Sequence, residues 1–132
     1  MAKCKLLAFL LCERASVAPA PDNRVTLCHL FDRIIVASTR EEPESFSAYY
    51  KIVVDEPCTV ALRVTDPAQR EIAGNWRDSI AKIGPIQGVW QTLDTSLFRE
   101  LGVYVFELRE ENVGSESHCL ASTRLVVEEE GK

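Results

Sequence analysis

Cys4-Lys5-Leu6-Leu7-Ala8-Phe9-Leu10-Leu11-Cys12-Glu13-Arg14 is a near-continuous apolar run, and a second, Val25–Ala37, follows after Ala18-Pro19-Ala20-Pro21-Asp22-Asn23. Two readings compete. As a secretion leader, Lys3 and Lys5 would precede the apolar stretch Leu6–Cys12, and Ala18-Pro19-Ala20 would be a small-x-small cleavage site. The apolar stretch is at the short limit for a leader, proline fits the site poorly, and Leu11 stands where a lipidation box ahead of Cys12 needs a small residue. The expectation is therefore a retained segment that forms the first hairpin of an all-β domain. In a regular strand Cys4, Leu6, Ala8, Leu10 and Cys12 share one face, and Leu7, Phe9 and Leu11 the other. A strand apolar on both faces is covered twice, so it lies centrally in its sheet or carries a partner. Leu7, Phe9 and Leu11 are the candidate contact surface.

Further along, period-two alternation puts Phe46, Ala48, Tyr50, Ile52 and Val54 on one face, opposite Ser45, Ser47, Tyr49 and Lys51. After Asp55-Glu56-Pro57, which reads as a hairpin turn, Cys58, Val60, Leu62 and Val64 alternate in the same way until Asp66-Pro67. Tyr104, Phe106 and Leu108 form a third such run, ending in a turn at Glu110–Gly114, and Leu125 and Val127 point inward in a last run from Cys119 to Val127. Helical periodicity is confined to short stretches at Trp76–Ile83 and Ser96–Leu101, the second capped by Thr95 or Ser96 and stopped by Gly102. The pattern predicts a two-layer antiparallel β-sandwich of about 7–9 strands with at most short helical turns, residues 1–132 forming a single domain.

Leu93–Phe106 contains an acidic residue, then Gly102, Tyr104 and Phe106 at alternate positions. It resembles the E–F corner of immunoglobulin-like domains, in which a tyrosine buries its ring and returns its hydroxyl to backbone a few residues upstream. Phe106 stands where antibody domains carry a cysteine, so the resemblance implies a sandwich without the inter-sheet disulfide. More widely, Leu10-Leu11-Cys12-Glu13, the run from Val25 to Phe31-Asp32-Arg33-Ile34, Val60-Ala61-Leu62-Arg63-Val64 and Gly102-x-Tyr104-x-Phe106-x-Leu108 resemble an uncharacterised bacterial family of small single-domain proteins. That resemblance implies an immunoglobulin-like or C2-like sandwich and brings no catalytic residues.

The chain of 132 residues is long enough to bury a core without staples. Its formal charge of −5 argues against nucleic acid and against an anionic membrane as partners. The acidic groups Glu41–Glu44, Glu110–Glu111 and Glu128–Glu130 read as solvated loops and tails. Five cysteines, Cys4, Cys12, Cys28, Cys58 and Cys119, show no CxxC pattern and read as reduced core residues of a cytoplasmic protein.

Cys28-His29 and His118-Cys119 invite a zinc or thiol–imidazole reading, but adjacent strand residues point to opposite faces and cannot both reach one ion. Asp22, Asp32, Asp55 and Asp66 flank turns, as calcium ligands of C2-like sandwiches also do. Trp76, Trp90 and the pair Tyr49-Tyr50 include outward aromatics. No catalytic, cofactor or metal residue is expected. The expected function is a non-enzymatic protein-binding or assembly module, an adaptor or subunit with a protein partner or self-association. A small cysteine–histidine enzyme or redox protein, and a calcium-dependent C2-like membrane module, are the alternatives.

Overall fold

In the computed structural model, residues 4–19, 25–30, 33–36, 44–74, 76–80, 86–111 and 118–129 are described. They form β1 (Cys4–Val17), β2 (Val25–Leu30), β3 (Arg33–Val36), β4 (Ser45–Val54), β5 (Cys58–Thr65), β6 (Glu71–Ile72), β7 (Arg77–Ile80), β8 (Gln87–Asp94), β9 (Gly102–Glu111) and β10 (His118–Glu129). A 3₁₀ turn, Thr95–Leu97, joins β8 to β9. The first sheet has the order β2-β1-β4-β8. The second has β3-β10-β9-β5-β6, with β7 also on β5. The ten strands exceed the expected number because short pieces such as β6 and β7, both paired with β5, count separately.

The inward residues of β4, β5, β9 and β10 are those the alternation selects, and they meet in a core built from both sheets. Leu11, Phe46, Ala48 and Leu93 of the first sheet pack with Ile34, Leu62, Val64, Tyr104, Phe106, Leu125 and Val127 of the second. Phe98, just past the 3₁₀ turn, plugs this cluster from the loop. Its ring centroid lies 5.3 Å from Phe46, 5.1 Å from Tyr104 and 5.6 Å from Phe106. Asp94 caps the 3₁₀ turn by accepting from the Ser96 N–H at 2.9 Å, and this bond holds its carboxyl below the usual range.

Three expectations about connection are corrected. The Asp55-Glu56-Pro57 segment is not a hairpin: β4 belongs to the first sheet and β5 to the second, so it is the crossover between layers. The sandwich is not wholly antiparallel, because β3 runs parallel to β10, with Ile34 opposite Val127. The chain contributes β2 to one sheet and, two residues later, β3 to the other, so the second apolar run serves both layers. Finally, the Trp76–Ile83 stretch is not a helical turn. Arg77–Ile80 is a strand on β5, and Ile83 lies outside the described residues.

β1 lies centrally between β2 and β4, but its faces are not those a regular strand predicts. Leu6 pairs with Ile52 and Ala8 with Lys51, so Leu7 is an extra residue in a bulge. Before the bulge Cys4 and Leu6 share a face with Val54 and Ile52. After it, Phe9 and Leu11 take the inward positions opposite Tyr50 and Ala48, while Leu10 and Cys12 turn outward opposite Tyr49 and Ser47. The contact surface Leu7, Phe9 and Leu11 is therefore corrected. Leu7 is 44% exposed, Phe9 packs against the core, and Leu11, at 5%, is part of it.

Part of the outer face of this sheet is covered by the chain itself. Ser47, Tyr49 and Cys12 are buried there. A β-carbon at Gly88 would stand 2.8 Å from the Tyr49 hydroxyl and 3.2 Å from Val25 Cγ2, although β2 and β8 occupy opposite edges of the pairing order. The β1–β2 arm thus curls over Tyr49, which faces outward as the alternation expects but is buried there.

The corner forms at the start of β9. Gly102 adopts φ +131°, and the Tyr104 hydroxyl donates to the Glu100 carbonyl at 3.1 Å while accepting from the Glu100 N–H at 3.0 Å. The Tyr104 ring is buried. Tyr104→Phe leaves both Glu100 backbone groups without this partner and is expected to destabilise by about 1–3 kcal/mol, read from the urea midpoint.

Burial also raises the phenols of Tyr49 and Tyr104 above their ordinary value of 10.0. A group whose folded pKa is raised contributes stability that is complete below its unfolded value and lost as pH climbs through the folded one. The urea midpoint should consequently fall as pH rises past 10. Tyr104→Phe should flatten that fall.

Candidate functional site

At one end of the sandwich the chain leaves the first sheet after Val54 and enters the second at Cys58. Cys4 pairs with Val54, Cys58 with Ile80, and Val60 with Glu110. These registers bring the start of β1, the start of β5 and the end of β9 to the same level. On β9 the inward series Tyr104, Phe106, Leu108 continues one step further, and its next member is Glu110. A carboxylate is thereby delivered into the second core cluster, among Cys4, Tyr50, Ile52, Val54, Cys58, Val60, Ile80 and Leu108.

Glu110 is 1% exposed, Cys4 5% and Cys58 8%. Their donor atoms, two sulfurs and a carboxylate oxygen, lie within 4.8 Å of one another. The Cys4 thiol donates to Glu110 Oε1 at 3.1 Å. Burial first, then this bond and the nearby Cys58, push the Cys4 thiol well above its ordinary range. A thiol so raised stays protonated at neutral pH and reacts slowly.

A second polar pair lies beside the cluster. The Tyr50 hydroxyl donates to Asp78 Oδ2 at 2.8 Å, and Gln91 Nε2 donates to the same oxygen, linking β4, β7 and β8. Burial, with the Asp78 bond, raises the Tyr50 phenol strongly. The bonds to Asp78 Oδ2, like that from Cys4 to Glu110 Oε1, satisfy polar atoms that would otherwise be costly between two apolar sheets.

The residues singled out from sequence are dispersed. Cys28 and His29 lie on β2 in the first sheet, His118 and Cys119 on β10 in the second. His29, at φ 54°, turns Nδ1 to Glu13 Oε2 at 2.8 Å, not to a thiol. Arg14 Nη2 is 3.9 Å from Cys28 Sγ, and the Cys119 thiol donates to the Ala121 carbonyl at 3.6 Å. Burial raises the Cys119 thiol too.

Asp66 Oδ1 accepts from the Ala68 and Arg70 N–H groups, so it organises its own turn. Asp55 is exposed after β4, and Asp22 and Asp32 lie outside the described residues. The reading of Glu110–Glu111 as solvated is corrected. Glu110 is a core residue, and Glu111 Oε1 accepts from Arg77 Nε at 2.8 Å.

On the outer face of the second sheet a groove of about 310 Å³ is lined by Arg63, Glu71, Trp76, Arg77, Arg109 and Glu111 among others. Its arginines are matched by carboxylates, Arg63 with Glu71 at 3.4 Å, Arg77 with Glu111 at 2.8 Å and Arg109 with Glu107 at 3.2 Å, so it offers no unbalanced field for an anion. On the first sheet, β8 is an eight-residue strand that among the described residues pairs only with β4. From Gln87 to Leu93 it carries no charge and no proline.

Neither a known family model nor any curated protein matches this chain. No helix among the described residues is long and apolar enough to cross a membrane. The cluster of Cys4, Cys58 and Glu110 was not foreseen from sequence. The signal was nevertheless there, in the parity of β9, which turns residue 110 to the same side as Tyr104, Phe106 and Leu108.

Proposed function

We propose that this protein is an immunoglobulin-like sandwich that works as a non-enzymatic binding module and accepts a strand of a partner protein along β8. The observation that carries the reading is the β8 edge. Sandwiches usually blunt such an edge with lysine, proline or a bulge, and an uncharged, unbroken edge strand is a template for main-chain pairing. Trp90 and Thr92 alternate with inward Val89, Gln91 and Leu93, so the partner would meet main-chain groups and an aromatic side chain at the same edge. The immunoglobulin-like assignment is supported by the tyrosine corner and by the passage of the N-terminal strands from one sheet to the other, where β3 runs parallel to the last strand. A reducing, cytoplasmic setting fits five cysteines that are joined in no disulfide.

The test combines size-exclusion chromatography and affinity capture from the native cell with amide hydrogen exchange on the resulting complex. The reading expects protection on binding to centre on 87–94, and Trp90→Lys with Thr92→Lys to abolish the complex while the chain stays folded. A monomer with no partner, or protection elsewhere, would count against it.

A further inference from the structure

We infer that Cys4, Cys58 and Glu110 form a binding site for one thiophilic divalent cation of the zinc class, clipping the two sheets together at this end of the sandwich. The donors are those zinc takes, two thiolates and a carboxylate. They come from three strands in both layers, Cys4 from the first sheet and Cys58 and Glu110 from the second. Among the described residues this is the one place where three such groups meet.

A tetrahedral ion with sulfur at about 2.3 Å and oxygen at about 2.0–2.2 Å sets its donors roughly 3.5–3.8 Å apart. Atoms already within 4.8 Å need side-chain adjustment on the order of 1 Å, not backbone rearrangement. The fourth position falls to water or to the second Glu110 oxygen. On binding, two S–H bonds break, their protons pass to solvent, and two metal–sulfur bonds form. The ion's two positive charges then face three negative ones, in surroundings of Ile52, Val54, Val60 and Ile80 that strengthen the attraction.

This arrangement differs from the Cys28-His29 and His118-Cys119 pairs that the sequence brings to mind. Those four residues sit in different sheets, whereas the three core donors converge. A bound ion joining β1 to β5 and β9 would also stabilise the folded chain in proportion to its affinity.

The test uses the full chain, reduced and freed of metal by chelation, titrated with Co²⁺ and then with Zn²⁺ in competition. The expected result is a thiolate-to-cobalt charge-transfer band with tetrahedral d–d absorption. It should saturate at one ion per chain, be displaced by Zn²⁺, and be accompanied by a rise in Tm. The band should persist when Cys12, Cys28 and Cys119 are all replaced by serine, vanish in Cys58→Ser, and need about tenfold more metal in Glu110→Gln. Far-ultraviolet circular dichroism checks that the variants fold. If Cys58→Ser does not fold, the triple-serine chain decides alone, and loss of the band there overturns the proposal. The absence of any saturable band in the wild-type chain, or equal titration of wild type and folded Cys58→Ser, also overturns it.

Discussion

Phe98→Ala is expected to destabilise the protein by about 3–5 kcal/mol, the range for emptying a phenylalanine site in a packed core. Phe98 is fully buried and belongs to no strand; it follows the 3₁₀ turn and inserts between the layers. Its edge meets Phe46 and Tyr104, and its face stacks on Phe106 with an interplanar angle of 22°. Truncation therefore removes the side chain that touches aromatic rings of β4 and β9 together. Because the walls of the resulting cavity belong to hydrogen-bonded strands, collapse is limited, and the loss should sit near the upper part of the range. The measurement is equilibrium urea unfolding, with a lower midpoint at unchanged slope. A change below 1 kcal/mol would mean that Phe98 is not the plug between the layers.

Gly102→Ala is the second large effect, about 2–5 kcal/mol. At φ +131° a side chain is strained by about 1–3 kcal/mol whatever the space around it. Space is also lacking, since a β-carbon would lie 2.8 Å from Pro67 Cβ and 2.9 Å from Pro67 Cγ. Pro67 belongs to the turn that Asp66 organises, so it cannot retreat without disturbing the bonds to Ala68 and Arg70. Relief of the overlap would instead shift the start of β9 and lengthen the Tyr104 bond to Glu100. Gly102→Ala and Tyr104→Phe should accordingly be less than additive when combined, because both act on one corner.

The strands that announced themselves were those with one polar and one apolar face. In β4, β5, β9 and β10 the alternation identifies the inward set, since a half-buried strand must separate its side chains by period two. The corner was legible only as a resemblance, because glycine, tyrosine and phenylalanine at alternate positions equally suit an ordinary strand start.

β1 gave no such guidance. Both its faces are apolar, so a one-residue bulge at Leu7 reverses inward and outward without leaving a trace in the hydrophobic pattern. The crossover at Asp55–Pro57 has no signature of its own, because a short polar turn between two strands looks alike whether they pair with each other or stand in opposite layers. Glu110 was hidden by its chemistry. Parity placed it inside, but its charge and its acidic neighbour argued for solvent, and only the cysteines of β1 and β5, distant in sequence, make its burial intelligible.

The convergence of Cys4, Cys58 and Glu110 is tested most directly by prolonged oxidation of the metal-free native chain with a small permeant oxidant, followed by proteolysis and mass spectrometry of the disulfides formed. Cys4 and Cys58 are fifty-four positions apart and on different sheets, so only the packing of β1 over β5 brings their sulfurs together. A Cys4–Cys58 disulfide is expected as the main intramolecular product, absent when the chain is oxidised in urea. Cys4 trapped chiefly with Cys12, Cys28 or Cys119, or left free while Cys58 pairs elsewhere, would contradict it.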